Sequence, residues 1–202
     1  MSPAAAARAT FAQASRDLLR DSVLDALGEL LADDAWGDVT MAEVAERAGV
    51  SRQTLYNAFG AREELAQAYL MREAERFLEA IEDAVVGNVE DPRRALAQAA
   101  ELFLSLASTH PMVRAISSRD GEELVAMATA RGGALLTGMT ERLSELILTN
   151  WPEVDPRGAR LLAATLVRLA ISHAVLPTGA PERTAADIAR TLGPFIDELL
   201  GR

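Results

Sequence analysis

The chain has 202 residues, of which 50% are hydrophobic and 25% charged, and its formal net charge is −10. This composition is typical of globular proteins and excludes a disordered chain, and no uninterrupted apolar run approaches the roughly 20 residues of a membrane span. The acidic balance argues against a general polyanion binder, although local Arg clusters still permit DNA contact. Because the chain has no Cys and two His, we expect no disulfide, no metal site and no cofactor.

The opening of the chain lacks the basic and apolar regions of a secretory signal, so we expect a cytoplasmic protein that does not enter a membrane. The Ala-rich stretch to about Ser15 is expected to be a frayed arm. Apolar residues then recur every three to four positions, which predicts an amphipathic helix from about Arg16 to Ala32.

Two short helices are predicted next, separated by a tight turn. Thr40 and Glu43 have the spacing of a capping box, which begins a helix ending near Arg47. Gly49 suits a turn residue with positive φ, and Ser51 is expected to be the N-cap of the second helix, which ends near Ala58. Two helices joined by such a turn have helix-turn-helix spacing.

The remaining sequence predicts helices throughout. A long helix is expected from Ala61 to Val86, and two Asp-Pro pairs each place a capping carboxylate before a proline at the first helical position. We therefore predict an all-α fold of about nine helices, the later ones spanning Pro92–Ser108, Pro111–Ser118, Gly121–Asn150, Pro156–Leu176 and Pro181–Leu200.

The second short helix carries the side chains with the clearest functional chemistry. Its start, Ser51-Arg52-Gln53-Thr54, would present a helix N-terminus and hydrogen-bonding groups to a DNA major groove, where Arg reads guanine and Gln reads adenine. A helical hairpin with a polar outer face, and no DNA contact, is the alternative at this point.

A longer pattern favours DNA binding. The run Thr40-x2-Glu43-x-Ala45-x3-Gly49-Val50-Ser51-x2-Thr54-Leu55-Tyr56-x2-Phe59-Gly60-x-Arg62-Glu63-Glu64-Leu65 resembles the N-terminal signature of the tetracycline-repressor (TetR) family. The resemblance implies a helix-turn-helix domain at residues 1–60 and a ligand-binding and dimerisation domain at residues 61–202. It also implies a homodimeric, ligand-responsive transcriptional regulator, usually a repressor, and not an enzyme.

The same resemblance implies which residues face DNA. Phosphate contacts carry over to Thr40, Ser51, Tyr56 and Arg62, and base-edge contacts to Arg52, Gln53, Thr54 and Asn57. Two positions depart from the usual pattern: Ala61 lies where a capping residue is common, and Arg62 replaces the more frequent Lys, although Arg can also bind a phosphate.

The family layout places an effector cavity in the body of the protein. The expected lining is apolar and suits a lipophilic guest such as a long-chain acyl molecule, with the Met side chains able to adapt to its shape. Ordinary core packing is the alternative for each of these residues. The expected lining consists of Phe77, Ile81, Phe103, Leu106, Met112, Ile116, Leu124, Met127, Leu135 and Met139, with Arg168 and His173 as polar anchors.

The last two predicted helices are apolar on more than one side, so each needs cover on two faces. In the family, such helices pair with their counterparts in a second subunit. The expected dimer interface comprises Leu162, Leu166, Leu169, Ile188, Leu192, Phe195, Ile196 and Leu199.

Two other classes of function are alternatives to a DNA-binding regulator. A helical protein-interaction module without DNA binding is opposed by the intact run from Ser51 to Tyr56. A small-molecule enzyme is opposed by the absence of Cys and of a phosphate-binding glycine loop. The expected partners are therefore a double-stranded DNA operator, an apolar effector and a second copy of the chain.

Overall fold

The computed structural model describes residues 3–111, 113–114 and 132–202. These ranges form eight helices, and no strand occurs in them. The all-α prediction is thus confirmed. The helices are α1 (Pro3–Asp33), α2 (Met41–Arg47), α3 (Arg52–Phe59), α4 (Arg62–Val86), α5 (Pro92–Thr109), α6 (Gly132–Asn150), α7 (Pro156–Val175) and α8 (Pro181–Leu199).

The expectation of a frayed N-terminal arm was wrong, because α1 begins at Pro3. Ala has the highest helix propensity of all residues, and proline is well tolerated at the first helical position, so the Ala-rich opening continues the helix. Most of the predicted Pro111–Ser118 helix, and the first part of the predicted Gly121–Asn150 helix, lie outside the described residues.

Helix starts follow the predicted capping chemistry. The Asp91 side chain accepts a hydrogen bond from the Arg94 amide at 3.1 Å. Asp155 accepts from the Arg157 and Gly158 amides at 3.0 and 2.9 Å. Each Asp is followed by a proline at the start of its helix, and these prolines fix the backbone where α5 and α7 begin.

The chain divides into two compact units, residues 1–70 and residues 71–202. The division falls within α4 rather than at the expected boundary between residues 60 and 61. In the first unit, Tyr69 of α4 is buried, and its ring lies against Gly28 of α1, where a Cβ atom would come 3.0 Å from the Tyr69 hydroxyl. The first turns of α4 therefore belong to the unit that contains the two short helices.

The second unit has a core formed by α4, α5, α6, α7 and α8. Trp151, which follows α6, donates a hydrogen bond from its indole to the Val89 carbonyl at 2.9 Å. Gly158 near the start of α7 lies so close to α8 that a Cβ atom would collide with the Leu199 side chain. This glycine lets the start of α7 meet the end of α8.

One helix in the described part of the chain, α7, is long and apolar enough to cross a membrane by length and composition, with a mean hydropathy of 1.3. Its residues Leu162, Ala163 and Val167 are buried in the core of the second unit. A helix that is covered on two sides has the same composition, so this property is weak evidence for a membrane span.

Candidate nucleic-acid interface and effector cavities

The two short helices form the predicted turn geometry. Gly49 has a φ of 68°, which is the left-handed region that favours glycine. Val44, Ala45 and Leu55 are buried, with exposures of 1% or less. These small and apolar side chains bring α2 and α3 into contact, which leaves the start of α3 on the surface.

The Thr40 capping box is present. The Thr40 hydroxyl accepts from the Glu43 amide at 3.3 Å, and the Glu43 carboxylate accepts from the Thr40 amide at 2.8 Å and from its hydroxyl at 2.7 Å. These hydrogen bonds lower the pKa of Glu43. The exposed Thr40 side chain therefore has a capping role in addition to the phosphate contact expected for it.

The first turn of α3 is similarly organised. The Ser51 hydroxyl accepts from the Thr54 amide at 3.0 Å and lies 2.8 Å from the Thr54 hydroxyl. Arg52 and Gln53 are exposed, and Gln53 donates to the Asn57 amide oxygen at 2.9 Å. This hydrogen bond holds two candidate base-reading side chains in one orientation on the outer face of α3.

Two further predicted DNA contacts differ in accessibility. Tyr56 is 49% exposed on α3, so its hydroxyl can reach a phosphate. Arg62 is half-buried, and its guanidinium packs over the ring of Trp36 and donates to the Trp36 carbonyl. Phe59, expected to be core rather than contact, is 7% exposed.

Two apolar cavities lie side by side in the second unit, with volumes of about 60 and 70 Å³. Every described residue that lines them is nonpolar. Both cavities are bordered by the same four side chains, Leu96, Ala99, Leu143 and Leu166. The two cavities are therefore adjacent.

The expected effector residues are partly brought together. Ile81, Phe103 and Met139 line the second cavity, and the Phe77 ring contacts that of Phe103 with centroids 5.2 Å apart. Leu106 is 39% exposed on α5. Met112, Ile116, Leu124 and Met127 lie outside the described residues, as does the side chain of Leu135.

Neither expected anchor lines these two cavities. Arg168 is exposed on α7. His173 borders a third cavity of about 250 Å³ with Ser108 and Arg114, and Leu104 lines both this cavity and the second apolar one. The apolar cavities are thus not bordered by either proposed polar anchor.

The four residues that border both cavities, Leu96, Ala99, Leu143 and Leu166, were not in the predicted lining. On α5, Leu96, Ala99 and Phe103 recur at three and four positions, which is the pattern of one helix face. That signal could have extended the predicted lining to Leu96 and Ala99.

Several residues assigned to the dimer interface pack inside the protomer itself. Leu162, Ile188 and Ile196 are each 6% exposed, and Leu166 and Leu199 also line the apolar cavities. Leu169, Leu192 and Phe195 are half-buried, and the last two also pack against the core of the second unit. Leu161 on α7 is 56% exposed. The outer surface of α7 and α8 thus retains apolar side chains that another copy could cover.

A buried carboxylate joins α4 to the end of α5. Glu73 is 9% exposed, and its carboxylate lies 2.9 Å from His110 Nε2, 3.1 Å from Arg72 Nε and 3.3 Å from Arg76 Nη1. Burial raises the pKa of Glu73, but the hydrogen bond with His110 and the charges of Arg76 and Arg72 outweigh it, so the net pKa is lowered. Glu73 is therefore held as a carboxylate.

The comparisons with known proteins agree with this arrangement. Residues 23–69 match the family model described as bacterial regulatory proteins of the tetR family, and residues 91–194 match the C-terminal domain of the bacterial tetracycline repressor. These matches cover the helix-turn-helix and most of the second unit.

Individual relatives extend the similarity over nearly the whole chain. The transcriptional regulator AlkX of Mycobacterium tuberculosis is 35% identical over 191 residues, which cover 94% of this chain and 90% of that protein. A crystal structure is known of the TetR-family repressor AlkX from a Dietzia species, which is implicated in biodegradation of n-alkanes. Its sequence is 34% identical to this chain. The two structures superpose with a TM-score of 0.80 over 88% of this chain and 97% of that one. The transcriptional activator FasR of Mycolicibacterium smegmatis is 25% identical over 159 residues, 79% of this chain and 72% of that protein.

The helix-turn-helix geometry, the two family matches and the extent of these similarities lead to one assignment: the chain belongs to the TetR family of DNA-binding transcriptional regulators, which are not enzymes.

Proposed function

We propose that the chain is a repressor that binds a pseudo-palindromic operator as a homodimer and is released by a small lipophilic effector of the long-chain acyl or alkyl class. In this proposal, residues 1–60 form the DNA-binding domain, to which Arg62 adds a phosphate contact, and residues 61–202 form the domain that binds the effector and dimerises.

The exposed start of α3 supports operator recognition. Gln53 and Asn57 are hydrogen-bonded to each other at 2.9 Å, and both amides keep further donors and acceptors for base edges. Tyr56 on the same helix supplies a hydroxyl that can donate a hydrogen bond to a phosphate of the DNA backbone. We assign phosphate contacts to Thr40, Ser51, Tyr56 and Arg62, and base contacts to Arg52, Gln53, Thr54 and Asn57.

The observation that carries the effector class is that every described residue lining the two adjacent cavities is nonpolar. A compact polar ligand would lose its hydrogen bonds with water there without replacing them, whereas an alkyl chain would not. The Dietzia repressor, implicated in n-alkane biodegradation, supports an alkyl-bearing effector for this chain too.

The size of the cavities suggests how binding changes the protein. The volume of each cavity is less than half that of an engineered cavity that binds benzene, which is about 150 Å³. A long alkyl chain must therefore displace side chains of the lining, and we propose Leu143 and Leu166, which border both cavities. A ligand that binds only the displaced arrangement shifts the population toward it. Release from DNA follows because, in this proposal, the displaced arrangement binds the operator less tightly.

For the dimer, we propose the outer surface of α7 and α8. Exposed Leu161 and half-buried Leu169, Leu192 and Phe195 supply apolar contacts on this surface. Burial of such a surface by a second copy stabilises a dimer roughly in proportion to the apolar area removed from water.

One experiment tests effector class and release together. The probe DNA is a duplex selected by the purified chain from a randomised library. Long-chain fatty acids, n-alkanes and compact polar metabolites are compared for their effects on the melting temperature and on DNA binding. The acyl or alkyl compounds should raise the melting temperature and release the duplex together, because a ligand that binds one state is linked to both equilibria.

A cavity-filling variant provides the control. Ala99→Phe should abolish the response to the long apolar compounds, whereas Leu176→Phe, at a position 71% exposed, should leave it unchanged. If only a compact polar metabolite both stabilised the protein and released DNA, the apolar effector would be disproved, and the cavity beside His173 would be the better site. If no duplex were selected, the DNA-binding proposal would fail.

A further inference from the structure

The carboxyl end of α3 has no cation of its own. None of the residues in the last turn of α3 is basic, although the last carbonyl groups of a helix lack partners within the helix and carry partial negative charge. Arg20, on α1, supplies what α3 lacks: its Nη1 donates a hydrogen bond to the Ala58 carbonyl at 3.2 Å.

The same guanidinium makes a second contact at this end of α3. Its Cζ lies 4.6 Å from the centroid of the Phe59 ring, within the range of a cation–π interaction. Phe59 is 7% exposed, so the ring is fixed by the core on its other sides. Arg20 thus binds both the backbone and the last side chain of α3.

These contacts join helices that are far apart in sequence. Within the first unit, α2 packs against both α1 and α3, and Arg20 adds a direct link from α1 to α3. The link lies at Ala58 and Phe59, whereas the exposed Arg52 and Gln53 lie at the opposite end. A short helix held at its carboxyl end cannot tilt freely, and such a tilt would displace the side chains at its start.

We propose that Arg20 is a positioning residue for DNA recognition: it holds the carboxyl end of α3 against α1 and thereby orients the base-facing side chains, without itself contacting phosphate. This inference rests on the proposed role of α3 in base recognition. In this role Arg20 differs from a cation that binds the DNA backbone, because its loss should leave the salt dependence of DNA binding unchanged.

The experiment compares Arg20→Met with Arg16→Met. Both variants remove one positive charge from the exposed face of α1, but Arg16 donates to Gln13 on its own helix at 3.0 Å. Two quantities are measured: amide hydrogen exchange of residues 55–60 without DNA, and affinity for the selected duplex over a range of salt concentrations. Arg20→Lys, which keeps a cation near the Ala58 carbonyl, serves as the rescue variant.

Arg20→Met should accelerate exchange in residues 55–60 and weaken binding by roughly fivefold for each subunit, whereas Arg16→Met should do neither. The slope of log affinity against log salt should be the same in both variants. Arg20→Lys should restore part of the affinity and of the protection from exchange.

Two results would overturn the inference. The first is a slope of log affinity against log salt that becomes shallower by about 0.9 for each lost contact in Arg20→Met but not in Arg16→Met, which would identify Arg20 as a phosphate contact. Unchanged exchange in residues 55–60 would show that Arg20 does not hold α3. Since the exchange measurement needs no DNA, it tests the contact even if the wild-type chain selects no duplex, a result that would count against the proposed function instead.

Discussion

The guanidinium of Arg62 stacks over the indole ring of Trp36, with its Cζ 4.1 Å from the ring centroid. The same guanidinium donates a hydrogen bond to the Trp36 carbonyl. Trp36 lies between α1 and α2 and is 2% exposed. Arg62 therefore fixes the first turn of α4 to this loop, in addition to the phosphate contact proposed for it.

The first prediction concerns this pair. Arg62→Met should lower the free energy of unfolding by about 1 to 3 kcal/mol, because it removes a cation–π contact and a partly buried charged hydrogen bond. Urea unfolding measures the change. Arg62→Lys keeps the charge but lacks the planar guanidinium, so it should recover only part of the loss. If Arg62→Met had the same free energy of unfolding as the wild type, the contact between Arg62 and Trp36 would not contribute to stability.

The second prediction distinguishes base contacts from phosphate contacts on α3. Gln53→Ala should weaken binding to the selected duplex by about 1 to 3 kcal/mol and relax the preference at one position of each half-site. Tyr56→Phe should instead weaken specific and non-specific DNA by similar factors. Titrations of the duplex and of its single-base variants measure both. Uniform weakening by Gln53→Ala would contradict its assignment.

The third prediction uses two adjacent leucines of α7. Leu161 is 56% exposed and Leu162 is 6% exposed. Leu161→Glu should give a folded monomer, because the charge lies on the proposed dimer surface. Leu162→Glu should unfold the second unit, because it buries an unpaired carboxylate. Sedimentation and circular dichroism separate the outcomes, and a folded dimer of Leu161→Glu would place the interface elsewhere.

The fourth prediction concerns the pH dependence of stability at Glu73. The pKa of Glu73 is lowered in the folded protein, so the folded state favours the carboxylate. Ionised Glu73 therefore contributes to the free energy of unfolding. The contribution is complete above the pKa that Glu73 has in the unfolded chain, and it is lost as the pH falls through the lower pKa of Glu73 in the folded protein.

Glu73→Gln removes the contribution at every pH. The wild type should therefore unfold at a higher urea concentration than Glu73→Gln at pH 7, and the difference should shrink as the pH falls below about 4.3, the ordinary value for Glu. If the difference in urea midpoint between the wild type and Glu73→Gln stayed constant from neutral to acidic pH, the ionisation of Glu73 would not be coupled to folding.

Much of the fold could be predicted because its signals are local. Thr40, Ser51, Asp91 and Asp155 cap helices through neighbouring amides, and Gly49 has the positive φ of a turn. Each of these features depends on a few consecutive residues. The sequence therefore predicted where most helices begin.

The remaining features depend on contacts between distant residues. The link from Arg20 to Ala58 spans 38 positions, and nothing in the sequence near Arg20 indicates it. A helix that is apolar on two sides, such as α7, does not reveal which side faces its own core. For that reason Leu162 and Ile196 were assigned to a dimer surface, although they pack within the protomer.

The close approach of Gly158 to Leu199 has a consequence for how the chain tolerates changes in length. It brings the start of α7 against the end of α8, and these are the ends of the two helices farthest from their connection. The connecting residues 176–180 are exposed throughout. Extra residues inserted there should loop out into solvent without shifting the helices, which makes this connection a suitable place to insert a reporter peptide or to open a circular permutant.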